Sequence, residues 1–73
     1  MIIVKQNGEA ILNVSYFLFK YDDIFAYYKN VITGDKFYEN VGKYATRQRR
    51  KEVSNKLIEA FKNKEPVFIM PAE

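Results

Sequence analysis

The sequence predicts an α+β fold: a four-stranded antiparallel β-meander with one C-terminal helix packed on one face and a short final strand, in the order ββββαβ. Three observations predict it. Turn-forming residues at Asn7-Gly8, Asp22-Asp23 and Thr33-Gly34-Asp35 separate runs rich in β-branched and aromatic side chains. One stretch, Thr46 to Lys62, carries Val53, Leu57, Ala60 and Phe61 at helical spacing among strong helix formers. Lys64-Glu65-Pro66 breaks that periodicity, because proline disfavours helix at the residue before it.

The first element is a hairpin. Asn7-Gly8 lies between Met1 to Gln6 and Glu9 to Leu12, and it suits the positive φ values of a two-residue type I′ turn. Val14 to Tyr21 and Ile24 to Ile32 form the second hairpin, broken at Asp22-Asp23, and Lys36 to Val41 follows the third turn. Gly42 closes the β region ahead of the helix, and Val67 to Met70 is a last short strand before Pro71. Short connections favour antiparallel neighbours, and no linker or repeat divides the chain, so residues 1–73 are assigned to a single domain.

These turns set a register, and alternation then sorts the strand residues onto two faces. One face collects Ile2, Val4, Ile11, Phe17, Phe19, Ile24, Ala26, Tyr28, Ile32, Phe37 and Val41, a bed for Val53, Leu57 and Phe61 of the helix. The other collects Leu12, Val14, Tyr16, Leu18, Phe25, Tyr27, Val31 and Tyr38, with Lys20 and Lys29 among them. One helix covers one face, so the second needs an explanation. A homodimer or a curled half-barrel would bury it; rings interleaved with lysines would stack single-stranded nucleic acid; or Tyr16, Phe25, Tyr27 and Tyr38 would anchor a protein partner.

Composition excludes several chemistries. At 73 residues and 8.6 kDa the chain has a thin core, burying about 60% of its unfolded surface. It has no Cys and no His, so thiolate catalysis, disulfides and the usual zinc ligand sets are out, and no metal or cofactor is expected. The apolar start ends at Lys5-Gln6-Asn7, too soon for a signal-peptide core, and no run approaches the ~18 apolar residues of a membrane span. A cytoplasmic location and no membrane partner are the expectation.

Charge is concentrated. Lys43, Arg47, Arg49, Arg50 and Lys51 supply five positives without an acid, leaving seven basic residues against nine acidic ones elsewhere. Helix N-termini favour acids by about 0.3 to 1 kcal/mol, so basic residues there cost stability unless an anion offsets them. The helix-start amides and guanidinium forks suit phosphate or an acidic protein surface; alternatively the run is a solvated face whose arginine stems lie over apolar surface.

Catalytic motifs are absent. Gly34-Asp35-Lys36 and Gly42-Lys43 lack the frame of a phosphate-binding loop, Asp22-Asp23 reads as a turn, and Ser15 and Ser54 have no His to activate them. No enzyme activity is expected.

The N-terminal hairpin around Lys5-Gln6-Asn7-Gly8-Glu9, the run Ile24 to Tyr28, Val41-Gly42-Lys43-Tyr44-Ala45-Thr46 leading into the helix Glu52 to Glu59, and the ending Val67-Phe68-Ile69-Met70-Pro71 occur in an order that resembles small proteins encoded by phages and prophages of low-GC Gram-positive bacteria. The resemblance implies an accessory protein, without catalysis of its own, that binds and blocks a host protein. The leading expectation is therefore a homo-oligomeric binding protein whose aromatic sheet face and basic helix start meet a host protein with an acidic patch. A nucleic-acid-binding module using the same residues and an oligomeric structural phage component are the alternatives.

Overall fold

The computed structural model describes all 73 residues. Its elements are β1 (Ile2–Val4), β2 (Ala10–Ile11), β3 (Val14–Lys20), β4 (Asp23–Lys29), β5 (Lys36–Lys43), α1 (Arg47–Lys62) and β6 (Val67–Ile69). The fold is α+β with one helix, but the strands form two three-stranded sheets, ordered β2-β1-β6 and β3-β4-β5, in place of a single four-stranded meander. The first hairpin is too short to stand alone, and β6 completes it by pairing parallel to β1, from Ile2↔Val67 to Val4↔Ile69. Asn13, at φ 58°, turns the chain out of β2, and β3 begins the second sheet.

The Asn7-Gly8 turn is one residue longer than expected. Only Gly8 has positive φ (89°); its N–H donates to the Lys5 carbonyl at 2.9 Å, and the Lys5 N–H donates to the Glu9 carbonyl at 2.8 Å. Gln6 to Gly8 thus form a loop of the turn-plus-left-handed-glycine kind. The longer loop slips the register by one, to Ile3↔Ile11, so Ile3 is the buried core residue, and Ile2 and Val4, expected there, are half-buried.

Two bulges correct the meander. The β3–β4 turn is Tyr21-Asp22, closed by Lys20↔Asp23, and the register shifts between Val14 and Tyr16. That shift at Ser15 turns Val14, expected on the open face, into the core. β4 ends at Lys29, because Asn30 captures the next segment: its Oδ1 accepts from the N–H groups of Ile32 (2.9 Å) and Thr33 (3.2 Å). Val31 and Ile32 therefore lie in the loop, Ile32 90% exposed, not on the sheet. The second shift, between Ile24 and Phe25, places Val41 and Gly42 together in the core, so Gly42 lies inside β5 instead of closing the β region.

The helix agrees closely with expectation. Thr46 is its N-cap, with Oγ1 accepting from the Arg49 N–H at 3.1 Å. Val53 and Leu57 are buried against Ile3, Ile11, Val14, Ile24, Ala26, Val41, Tyr44 and Met70, Ala60 is buried as well, and the core lies between the two sheets and the helix. Phe61, expected in the buried stripe, is 47% exposed and meets Phe17 edge-to-face with ring centroids 6.0 Å apart. The final strand is a residue shorter than expected, and Met70 turns into the core.

Candidate functional site: an open aromatic sheet face

The face of the β3-β4-β5 sheet that points away from the core is a lattice of four rows, since cross-strand partners share a face. Tyr16, Tyr27 and Tyr38 form one row, and Leu18, Phe25 and Asn40 the next. Lys29 and Lys36 pair at one end, while Lys20, Asp23 and Lys43 close the other. At two residues per row the lattice runs roughly 20 Å along the strands. Its apolar centre is flanked at both ends by lysines, four in all against the one carboxylate of Asp23, which accepts from Asn40 Nδ2 at 3.1 Å.

The tyrosines stack on one another. Tyr16 and Tyr27 have centroids 4.5 Å apart and planes 14° apart; for Tyr27 and Tyr38 the values are 5.4 Å and 23°. Both faces of the Tyr27 ring are thus covered. The row stands upright on the sheet and offers ring edges, with Tyr16 58% and Tyr38 63% exposed. Phe25 tilts against Tyr38 at 57°.

The basic helix start is largely occupied within the chain. Arg50 donates through Nε to the Tyr21 carbonyl at 2.7 Å and through Nη1 to Ser54 Oγ at 3.2 Å, and its guanidinium lies over Phe19 at 5.8 Å. Arg49 donates to the Glu73 carbonyl at 2.9 Å and meets Glu52 at 3.5 Å. Arg47 sits over the Tyr21 ring at 5.3 Å. The Arg47 and Arg50 contacts brace the β3–β4 turn, where Tyr21 holds a strained φ of 52°. Lys51 and Lys43 make no ion pair, and Lys43 belongs to the open lattice, because the shift at Val41 sets it opposite Asp23. Of the five expected basic residues, Arg47, Arg49 and Arg50 thus hold contacts within the chain, and Lys43 lies on the open lattice.

Behind the open face, Tyr28 donates its hydroxyl to Glu39 Oε2 at 2.7 Å, and Lys5 Nζ donates to Oε1 at 3.2 Å. These bonds, led by that of Tyr28, hold the Glu39 carboxyl below its ordinary range against the opposing effect of burial. The Tyr28 hydroxyl is raised, first by its bond to Glu39 and then by burial. Tyr44 is buried, donates to the Pro71 carbonyl at 2.9 Å, and is raised by desolvation. No group of three or more acidic, His or Cys side chains converges as a metal site.

Tyr16, Phe25, Tyr27 and Tyr38 come together as expected, with Lys20 and Lys29 beside them. Lys36 and Asn40 were not expected there; the Lys29↔Lys36 pairing is legible only once the loop length is known. No family model matches the chain, and no curated protein or solved structure matches it. No helix is long and apolar enough to cross a membrane.

Proposed function

We propose that the chain is a binding protein without catalysis of its own that takes a protein partner on the open sheet face, the partner presenting an apolar patch rimmed by carboxylates. The observation that carries this reading is the upright tyrosine row. Both faces of the Tyr27 ring are covered by its neighbours, so a base has no central ring to stack on, whereas ring edges between apolar side chains suit a protein surface. Lys20, Lys29, Lys36 and Lys43 at the two ends complement an acidic rim and steer its approach. In this reading the chain acts as the small phage accessory proteins it resembles do, occupying a host protein.

The test is capture from a nuclease-treated Gram-positive lysate with the wild-type chain and with Tyr38→Ala. One stoichiometric protein retained by the wild type at high salt and reduced at least tenfold with Tyr38→Ala supports the reading. Equal capture by both chains overturns it.

Single-stranded nucleic acid is the second reading, and the four lysines favour it. Four phosphate contacts would give a slope of about −3 in log affinity against log salt. An apolar-centred protein complex would respond far less.

A further inference from the structure

We propose that β3 pairs antiparallel, across a two-fold axis, with β3 of a second copy of this chain, joining two meanders into one six-stranded sheet. The inference rests on the sheet edge and not on the partner reading, although Tyr16 and Leu18 of the open face border the seam.

The sheet edges are treated unequally. Both long edge strands carry one bulge, β3 at Ser15 and β5 at Val41, whose carbonyl accepts from the Gln6 N–H at 3.2 Å, but β5 bears Lys36, Glu39 and Lys43 where β3 bears only Lys20, and β2 and β6 are only two and three residues long. β3 is a seven-residue outer strand whose one backbone bond across its free edge runs from the Val14 N–H to the Met1 carbonyl. Alternate N–H and C=O groups along the rest of it face outward without a partner, the condition that invites another strand.

A second β3 also fits the ground beside that edge. Phe17 and Phe19 of β3 and Ile58 and Phe61 of α1 line a groove of about 310 Å³, with Ile58 39% and Phe61 47% exposed. Centred on Phe17, the regular run Tyr16–Lys20 beyond the Ser15 bulge begins with a stretch complementary to itself: Tyr16 meets Leu18 of the second copy, and Phe17 meets its own counterpart. Its only charge is Lys20, and antiparallel pairing sets the two copies of Lys20 roughly 20 Å apart, where parallel pairing would set them side by side. A heterologous strand has no such built-in match. One strand pair and a groove fall short of the about 800 Å² per partner of a standard interface, so the dimer forms in the micromolar range.

Sedimentation equilibrium of the full chain from micromolar to millimolar concentration, with amide exchange at both extremes, tests this. The weight-average mass should rise from 8.6 kDa toward twice that value, and the outward β3 amides should slow at least tenfold while those of β5 do not change. Ile58→Glu, at an exposed helical position, should stay monomeric with unchanged circular dichroism. Tyr38→Ala, on the far edge strand, should dimerise as the wild type does. A mass fixed at 8.6 kDa, a dimer whose β3 amides exchange freely, or a folded Ile58→Glu that dimerises equally well would overturn the proposal. Should Ile58→Glu fail to fold, wild-type amide exchange decides.

Discussion

At Glu39 two donors from different parts of the chain meet one carboxylate, Tyr28 at 2.7 Å and Lys5 at 3.2 Å. A carboxyl held below its ordinary value of 4.5 stabilises the fold above that pH, and the contribution is lost as pH falls through the lower folded value. Because the side chain is 38% exposed, the contribution is under about 1 kcal/mol after solvent screening. Thermal midpoints measured from pH 7 down to pH 3 should therefore fall more steeply for the wild type than for Glu39→Gln, which still accepts from Tyr28 but does not titrate. Parallel curves would remove Glu39 from the acid response. Gly42 poses a purely steric case. A Cβ there would lie 2.8 Å from Met70 Cε and 3.0 Å from Tyr44 Cε2. The Met70 tip is flexible but buried, and Tyr44 is held by its bond to Pro71, so neither yields freely. Gly42→Ala should cost about 1–3 kcal/mol, read as a drop in thermal midpoint of about 4–8 °C per kcal/mol.

Among the elements, the helix was the most legible and the turns the least. The spacing of Val53, Leu57 and Ala60 identifies α1 because a 3.6-residue period is a local property of the chain. A hairpin loop that gains one residue reverses a whole strand, and nothing local at Asn7-Gly8 separates the two-residue from the three-residue loop. The bulges at Ser15 and Val41 depend on packing between sheets, which no single strand reports. The helix end shows the same division. Pro66 marks the boundary in sequence, but the stop itself is a Schellman motif: Lys64 at φ 56°, its N–H donating to the Phe61 carbonyl at 3.1 Å, and the Glu65 N–H donating to the Ala60 carbonyl at 3.0 Å. Glycine takes that conformation without a Cβ penalty, so Lys64→Gly should raise stability by about 0.5–1 kcal/mol in denaturant melts. At the other end, Arg50→Ala removes the bonds to Tyr21 and Ser54 and should cost about 1–3 kcal/mol. A neutral or stabilising effect would return Arg50 to the role of a free cation.

Across the whole molecule, the aromatic face was visible in sequence because the tyrosines of each strand alternate with core residues and the two later turns preserved that parity. The union of two sheets was not visible, because it is made by residues that look like a loop and a tail. Gln6 is the centre of that union. Its Nε2 donates to the carbonyls of Lys43 (3.0 Å), Ala72 (3.0 Å) and Pro71 (3.2 Å), its Oε1 accepts from the Lys43 N–H at 2.7 Å, and its own N–H reaches the Val41 carbonyl. One amide thereby ties the first hairpin, the end of β5 and the C-terminal tail. Gln6→Ala hands those largely exposed groups to water and should cost about 0.5–1.5 kcal/mol. The loss should be uneven: amide exchange in β1 and β6 should accelerate more than in β3 and β4, since the small sheet loses its tie while the meander keeps its own ladder. Gln6→Glu separates the amide's donor role from its size. It retains an acceptor for the Lys43 N–H but turns a carboxylate oxygen toward three carbonyls, so at pH 7 it should be no more stable than Gln6→Ala. Uniform acceleration across both sheets, or a Gln6→Glu chain as stable as the wild type, would show that the sheets are joined by their shared core and not by this side chain.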